Sequence, residues 1–302
     1  MDLSVTIGNA VLPNPVGVAS GTFGYGSEYE SLVDLNRLGA IYTKAVTLQP
    51  RPGNDIPRII ETPSGILNSI GLANVGVDRF IAEKLPFLSS LSCAVIVNVA
   101  GSSSEEYLRV LQKLESHESV FGYEINVSCP NVRKGAMAIG TDATQVLNLV
   151  RRLRAATARP LIVKLSPNVT DIASIARAAE EGGADAVSCI NTLVGMAIDT
   201  GTGRPILPAG TGGLSGPAIR PVGVALTWKV ARAVRIPVIG IGGIVEPDHA
   251  IQYLLAGASA VQVGTATFVD PEAPAKVLEG IGSYFEEKGF SCIDDIHRFS
   301  TV

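Results

Sequence analysis

Cys129 is the side chain in this sequence best placed to do chemistry. It follows the apolar run of residues 122–128 in the stretch EINVSCPNV, and Pro130 comes directly after it. Proline has no backbone N–H to donate, so the thiol is expected just beyond the end of a buried strand. None of the three histidines falls at a predicted strand end, which argues against a Cys–His catalytic pair. The thiol could still act as a base toward a carbon-bound proton if an electron acceptor lay nearby.

Polar side chains recur at the ends of the other predicted strands. Two lysines and three asparagines share this position: Lys44, Asn98, Asn126, Lys164 and Asn191. Any one of them could simply cap a turn or pair with a carboxylate. As a set at one end of one fold, however, they would leave several buried polar groups unsatisfied. A planar polar ligand such as a flavin would satisfy them and would supply the electron acceptor.

The elements that must position these residues alternate regularly along the chain. Eight short apolar runs predict strands at 16–20, 40–46, 94–101, 122–128, 161–166, 186–192, 237–243 and 260–265. Amphipathic stretches predict helices at 28–38, 105–115, 142–156, 171–182, 222–234, 247–257 and 271–289. The runs are apolar on both faces, which is typical of parallel strands covered by helices. The pattern predicts an α/β fold, a (β/α)8 TIM barrel, with a doubly wound open sheet as the competing fold.

Two long segments and two glycine-rich strand ends indicate where a ligand would bind. Residues 47–76 and 193–216 are expected to be long loops at the C-terminal face of the barrel. The stretches IGIGGI (239–244) and VQVGTATF (261–268) follow the seventh and eighth strands, where barrels commonly hold a phosphate. Val245 occupies the third glycine position of a dinucleotide motif, so an NAD site on this chain is not expected.

Composition narrows the class of protein. The 302 residues are 46% hydrophobic and 17% charged, with a net charge of −4, which predicts one domain spanning 1–302 with a large core. Acidic charge disfavours a nucleic-acid partner. Four scattered cysteines without a CxxC pair argue against a metal or iron–sulfur site and fit a reducing cytoplasm. The N-terminal stretch has neither a basic region nor a long apolar run, so no membrane attachment is expected.

Several motifs together resemble a known family. They are NPVGVASGTFGYG, YTKAVT, NSIGLANVG, EINVSCPN, LIVKLSPN, CINT, GGLSGPAIRP, IGIGGI and VQVGTA. Over nearly the whole chain they are similar to dihydroorotate dehydrogenase. The resemblance implies an FMN-bearing barrel that oxidises dihydroorotate to orotate in pyrimidine biosynthesis.

The resemblance also implies a role for individual residues. Cys129 would be the base that removes the proton from C5 of dihydroorotate, while hydride leaves C6 for flavin N5. Lys164 would stabilise the anionic reduced flavin. FMN contacts are expected from Ala19, Ser20, Lys44, Ala45, Asn98, Asn126, Lys164, Ile190, Gly216, Gly242, Gly243, Gly264 and Thr265. Substrate contacts are expected from Lys44, Asn68, Ser69, Ile70, Gly71, Leu72, Asn126, Asn131, Asn191 and Thr192.

The subclass follows from the same resemblance. Membrane-bound members carry a serine base and an N-terminal membrane segment, and the sequence shows neither, which implies class 1. The stretches EINVSCPNVRKG, expected to begin a mobile flap, and SGTFGYG are more similar to class 1B than to class 1A. Class 1B implies a homodimer that joins a partner subunit carrying FAD and a [2Fe–2S] cluster, forming a heterotetramer that uses NAD. Three alternatives remain open: a fumarate-using class 1A enzyme, a dihydropyrimidine- or dihydrouridine-type flavin oxidoreductase, and a non-catalytic phosphate-ligand barrel.

Overall fold

The computed structural model describes residues 1–128 and 139–302. Its strands are Val5–Ile7 (β1), Ala10–Leu12 (β2), Val16–Val18 (β3), Ala40–Tyr42 (β4), Ile59–Thr62 (β5), Gly65–Asn68 (β6), Ala94–Val99 (β7), Gly122–Asn126 (β8), Leu161–Lys164 (β9), Ala186–Cys189 (β10), Leu193–Gly195 (β11), Ile198–Asp199 (β12), Arg204–Pro205 (β13), Gly212–Ser215 (β14), Val238–Ile241 (β15) and Ala260–Val263 (β16). Its α-helices are Val77–Arg79 (α1), Leu85–Leu88 (α2), Ser104–Leu114 (α3), Ala143–Arg154 (α4), Ile172–Glu181 (α5), Arg220–Ala231 (α6), Pro247–Leu255 (α7), Ala273–Lys288 (α8) and Ile293–Phe299 (α9).

Eight parallel strands close into a barrel. Their order around it is β3, β4, β7, β8, β9, β10, β15 and β16, and β16 pairs with β3 to complete the ring. Each of the eight coincides with one of the predicted apolar runs, and the predicted (β/α)8 barrel is therefore confirmed. The chain order of these strands is also their order in space, as successive right-handed βα units require.

The helices pack around the outside of the barrel with their apolar faces inward. On α3, Val110, Leu111 and Leu114 are fully buried, while Ser103 caps its N-terminus by accepting a hydrogen bond from the Glu106 amide. Asp142 caps α4 in the same way, by accepting from the amides of the first turn. No helix within residues 1–128 and 139–302 combines the length and the apolar character needed to cross a membrane.

The helix predicted over 28–38 is wrong. Two short 3₁₀ turns, Ser27–Tyr29 and Leu35–Arg37, occupy that stretch. Asp34 interrupts it with an extended backbone, and its carboxylate accepts a hydrogen bond from the Asn36 amide. A short acidic side chain that bonds the backbone two residues on favours a turn over a continuous helix.

The two long segments contain strands that the sequence analysis missed. Strands β5 and β6 form a hairpin in the first segment, and β11 and β14 pair in the second. β14 also pairs with β6, which joins the two segments into one four-stranded antiparallel sheet. This sheet lies at the carboxyl ends of the barrel strands, where it forms one wall of the main cavity.

Candidate active site

A cavity of about 360 Å³ lies between the carboxyl ends of the barrel strands and the antiparallel sheet. Twelve of the residues expected to bind a cofactor line it: Ala19, Ser20, Lys44, Ala45, Asn126, Lys164, Ile190, Gly216, Gly242, Gly243, Gly264 and Thr265. Most residues expected to bind substrate also line it: Asn68, Ser69, Ile70, Gly71, Leu72, Asn191 and Thr192, together with Lys44 and Asn126. The structure thus brings residues from distant parts of the chain to one place; their roles toward a cofactor or substrate stay predictions.

Asn98 lies away from the cavity wall. Its side chain is fully buried inside the barrel, and Nδ2 donates to Glu124 Oε2 at 2.6 Å. Its Oδ1 is buried and has no hydrogen-bond partner in the described part of the chain. Its expected contact with FMN stays a prediction.

Two of the expected site residues, Cys129 and Asn131, lie outside the described residues. Of the remaining cysteines, Cys93 and Cys189 are buried, and loss of solvation raises the pKa of their thiols to about 11 and about 12. Such thiols stay protonated near neutral pH and cannot serve as bases there. Both side chains belong to the hydrophobic core, so their role is packing.

Lys164 brings a cation into the deepest part of the cavity. It is the last residue of β9, and its side chain is only 6% exposed. Its Nζ lies 3.6 Å from Glu124 Oε2, an ion-pair distance that is slightly too long for a hydrogen bond. The Ser128 hydroxyl donates to the backbone carbonyl of Lys164 at 3.0 Å and fixes the strand end. The ammonium therefore keeps donor capacity for a ligand in the cavity.

Lys44 supplies a second cation on the opposite side of the barrel. It follows β4, and its amide donates to the Gly24 carbonyl at 2.7 Å. Burial lowers the pKa of the half-buried Lys44 ammonium; Glu28 opposes this effect and Arg58 adds to it. A bound anionic group would stabilise the charged form of Lys44, which burial disfavours. This position therefore suits a carboxylate.

Glycines form a cradle on the loops after β14 and β15. Gly216, Gly242 and Gly243 have φ angles of 93°, 130° and 66°, which L-residues rarely adopt. A β-carbon on Gly243 would lie 2.8 Å from the Gly216 carbonyl oxygen, so the two loops touch through their backbones. The Tyr253 hydroxyl donates to the Gly242 carbonyl at 2.7 Å and braces the loop from below. Backbone amides in such a cradle suit a phosphate.

The end of β6 and the segment that follows it contribute five of the residues expected to bind substrate, 68–72. Asn68 ends β6, and its Nδ2 donates to the Gly213 carbonyl at 3.2 Å across the sheet. Leu72 has a φ of 56°, a strained conformation for a side chain of this size, and its carbonyl accepts from Asn74 Nδ2 at 2.7 Å. Asn54 Nδ2 donates to the Ser69 hydroxyl at 2.7 Å. Neighbouring side chains therefore hold this segment in one shape.

Several residues in the cavity wall were missed by the sequence analysis, including Ser128, Asn168 and Ser215. Asn168 Nδ2 donates to the Thr192 carbonyl at 2.9 Å, and its Oδ1 accepts from the Val194 amide at 3.0 Å. It therefore shapes the loop that carries Thr192. The signal was available, because Asn168 follows β9 within the quoted motif LIVKLSPN.

The residues present fit a flavin phosphate and ring. The glycine cradle lines the cavity with backbone instead of side chains, and the Thr265 hydroxyl beside it donates to Ser215 Oγ at 2.8 Å. Lys164 offers a cation without a hydrogen bond in the described chain, and Ala19 and Ala45 provide small apolar walls. A planar ring with polar edges and an anionic tail matches this donor set.

Comparison with known proteins agrees with the motifs. A model of the family described as dihydroorotate dehydrogenase matches residues 2–285. The chain belongs to the dihydroorotate dehydrogenase family. The family and the oxidoreductase class predicted from the motifs are thereby confirmed.

Relatives match the dihydroorotate dehydrogenase chain over nearly its full length. The protein from Geotalea uraniireducens named dihydroorotate dehydrogenase B (NAD(+)), catalytic subunit, is 52% identical over 295 residues, which cover 98% of this chain and 97% of the relative. A protein of the same name from Bacteroides thetaiotaomicron is 50% identical with the same coverage. The crystal structure of the Eimeria tenella enzyme in complex with ferulenol superposes with a TM-score of 0.81, at 21% identity, over 98% of this chain and 87% of that one. At that identity the likeness supports the fold.

Proposed function

We propose that this chain is the catalytic subunit of an NAD-linked dihydroorotate dehydrogenase that oxidises dihydroorotate to orotate in de novo synthesis of UMP. The observation that carries the proposal is the meeting of Lys164, the asparagine side chains and the glycine cradle in one cavity. Relatives that share half of the sequence over 97% of their length bear that name. In this proposal residues 1–302 form one FMN-binding barrel domain in the cytoplasm.

The proposed cofactor is FMN, which when bound supplies the hydride acceptor. Gly216, Gly242, Gly243, Gly264 and Thr265 hold its phosphate and ribityl chain. Lys164 places its ammonium at the edge of the ring, where negative charge develops on reduction. The remaining ring contacts would come from Ala19, Ser20, Lys44, Ala45, Asn126 and Ile190. Asn98 is proposed as a further contact, from a position away from the cavity wall.

The substrate is a flat anion with amide and carbonyl edges, and the proposed contacts match these groups. Asn68, Asn126, Asn131, Asn191 and Thr192 donate and accept hydrogen bonds along the amide edges. Lys44 and the backbone of residues 69–72 take the carboxylate. The lowered pKa of Lys44 supports this assignment, because a bound carboxylate would stabilise the charged ammonium.

Cys129 is the proposed base that takes the proton from C5 of dihydroorotate. Cys129 directly follows Ser128 in the sequence. Ser128 and Asn126 both line the cavity, which supports the proposal. An ordinary thiol titrates within about two pH units of neutrality, which suits a base working near neutral pH.

In the proposal, electrons pass from this chain to a partner subunit. We propose a homodimer that joins an iron–sulfur subunit carrying FAD and [2Fe–2S], which passes electrons to NAD. The relatives are named catalytic subunits, which supports the existence of a second kind of subunit. The sequence lacks a dinucleotide-binding motif, which supports an NAD site elsewhere.

The first experiment tests the flavin and the substrate together. The purified chain should show the visible absorption of a bound flavin, and dihydroorotate should bleach it in the absence of oxygen. A colourless protein would favour a phosphate-ligand barrel. Bleaching by a dihydropyrimidine lacking the carboxylate, as fast as by dihydroorotate, would favour the related reductases.

The second experiment tests the acceptor. The isolated chain should reduce an artificial dye with dihydroorotate but should not reduce NAD, and fumarate should be a poor acceptor. Adding the iron–sulfur subunit should restore NAD reduction. Rapid fumarate-dependent turnover by the isolated chain would contradict the NAD-linked assignment and favour class 1A.

A further inference from the structure

A carboxylate is buried inside the barrel, directly beneath the cavity. Glu124, on β8, has no exposed surface. Its Oε2 accepts from Asn98 Nδ2 at 2.6 Å, and its Oε1 accepts from Ser188 Oγ at 2.8 Å and from Gln262 Nε2 at 2.9 Å. These three donors come from β7, β10 and β16, so Glu124 joins four strands of the barrel. The sequence analysis assigned Glu124 no role.

The strand register places Glu124 one layer below the proposed flavin site. Glu124 and Asn126 are two residues apart on β8, so both side chains point into the barrel. Asn126 lines the cavity and is paired in register with Lys164 on β9. Glu124 is paired in register with Asn98 on β7. The Glu124 carboxylate therefore lies inside the barrel, one layer below the polar groups that line the cavity.

Lys164 is the cation that Glu124 faces. Its Nζ is 3.6 Å from Glu124 Oε2, and this is its one salt bridge within residues 1–128 and 139–302. The side chains of Lys164 and Glu124 are 6% and 0% exposed, so water contributes little to either charge. Removing one partner of such a pair leaves the other charge buried without compensation.

Few other ionisable groups lie close enough to replace Glu124. The eight barrel strands carry five: Tyr42, Tyr123, Glu124, Lys164 and Cys189. Tyr123 and Cys189 alternate with inward residues and face the helices. Burial raises the pKa of the Tyr42 hydroxyl and Glu124 raises it further, with a hydrogen bond from Gln262 opposing, so Tyr42 stays neutral. Lys44 shares the cavity wall but is a like charge.

Glu124 also determines how its amide neighbours are oriented. An ionised carboxylate only accepts hydrogen bonds, so the amide nitrogens of Asn98 and Gln262 must both point toward it. Their oxygens then point away, and Asn98 Oδ1 and Gln262 Oε1 are indeed buried without partners in the described chain. With two amides, one hydroxyl and one ammonium around it, the carboxylate has donors on every side.

We propose that Glu124 is a positioning residue for the flavin site, acting through Lys164 and Asn98. It supplies the countercharge for the Lys164 ammonium at the cavity wall and turns the Asn98 amide so that its oxygen faces away from the carboxylate. The link to flavin rests on the proposed function. The link between Glu124 and Lys164 does not, and can be tested without flavin.

The first test measures thermal unfolding of the flavin-free protein from about pH 6 to about pH 10, which approaches the unperturbed lysine pKa. Glu124→Gln keeps the size of the side chain but removes the countercharge, so the lysine pKa in the folded state should fall. Since the unfolded state then binds the extra proton, the variant is destabilised at low pH and recovers as pH rises. We expect a Tm roughly 5–10 °C below wild type at about pH 6, and a smaller gap at about pH 10.

Two further variants make this result specific. Glu124→Gln/Lys164→Met removes the Lys164 ammonium as well, so the pH-dependent part of the loss should vanish. Glu115→Gln is the matched control, because Glu115 accepts from the Tyr123 hydroxyl at 2.7 Å on the outer side of the same strand. The Glu115→Gln variant should lower the Tm, and this loss should not show the pH dependence that Lys164 causes in Glu124→Gln. A pH-independent loss in Glu124→Gln, or one unchanged by Lys164→Met, would overturn the proposal.

The second test uses the flavin-loaded protein and measures the flavin midpoint potential against pH. Glu124→Gln should add an inflection at least about one pH unit below an ordinary lysine pKa, absent from wild type and from the double variant. Glu124→Asp, which keeps the charge, should lack it. If the inflection is missing while the flavin-free result holds, the Glu124–Lys164 link stands and the flavin role of Lys164 is wrong.

Glu124→Gln could fail to fold because it leaves a buried ammonium unpaired. The proposal then requires that Lys164→Met restore folding to the same chain. Failure of the double variant to fold, beside a folded Lys164→Met single variant, would overturn the proposal, since the role of Glu124 would then be independent of Lys164.

Discussion

Replacing Gly243 with alanine should weaken FMN binding far more than the same replacement at Gly289. Gly243 has a φ of 66°, and an added β-carbon would lie 2.7 Å from Arg220 Cβ and 2.8 Å from the Gly216 carbonyl oxygen. Contacts under 3.0 Å force something to move. The atoms that would move belong to the cradle proposed for the phosphate, so the cost should appear as lost affinity.

The free-energy cost of Gly243→Ala has two parts. A left-handed backbone costs a residue with a β-carbon about 1–2 kcal/mol, wherever it occurs. Forcing the two close contacts apart adds about 1–3 kcal/mol, the range seen for overpacking. Gly289 separates the two parts, because its φ is 70° and a β-carbon there meets nothing within 4 Å. Gly289→Ala should show the first cost, as lost stability, without the second.

The assay is a titration of flavin-free protein with FMN, followed by the quenching of flavin fluorescence. Relative to Gly289→Ala, the Gly243→Ala variant should bind FMN about 5- to 150-fold more weakly, which corresponds to the steric part alone. Urea unfolding of both flavin-free variants gives the backbone part. Dissociation constants that agree within about twofold would show that Gly243 does not border the phosphate, and would refute the reasoning.

Other substitutions test single groups of the site. Cys129→Ala should retain FMN yet slow flavin reduction by dihydroorotate about 10²–10⁴-fold in stopped-flow measurements; a wild-type rate would remove it as the base. Cys129→Ser should keep some activity, shifted to higher pH. Lys164→Ala should weaken FMN binding or lower the flavin potential, and unchanged values in both would contradict its role. Asn191→Ala should weaken orotate binding roughly tenfold with an unchanged flavin spectrum; an unaltered orotate titration would exclude Asn191 from the substrate contacts.

The barrel was predictable because its strands can be recognised in the sequence as short apolar runs. Runs such as residues 94–99 are apolar on both faces and are separated by amphipathic stretches of helical period. The helix caps at Asp142 and Asp171 were predictable for a similar reason, since a short acidic side chain satisfies the first-turn amides locally. Both features depend on residues that are close together in the sequence, so a single sequence is enough to predict them.

The antiparallel sheet at the cavity could not be predicted in the same way. β11 and β14 are three and four residues long, and β14 is half glycine, which gives little strand propensity. The pairing of β14 with β6 joins segments more than 120 residues apart, and nothing local specifies that contact. The sequence analysis therefore located the substrate segment 68–72 but described its surroundings as loops.

Asn98 shows where the rule of polar strand ends reaches its limit. The rule placed it in the site because it is polar and near the end of β7. In the structure its amide nitrogen is taken by Glu124, deeper in the barrel. A glutamate within an otherwise apolar buried strand was itself a signal, because such a charge must have partners. Applied to Glu124, that argument predicts an interior polar layer, although it cannot say which strands supply the donors.

Strand β8 links the core and the site through a period of two residues. Tyr123 points outward to Glu115, Glu124 points inward to the buried layer, Ile125 packs outward, and Asn126 points into the cavity. A shift of register by one residue would bury Tyr123 in the barrel and send Glu124 into the apolar layer beneath the helices. The packing that fixes the core therefore also fixes the two inward polar side chains. Ser128 follows shortly after this strand and lines the cavity, so the register of β8 reaches the cavity wall at two positions.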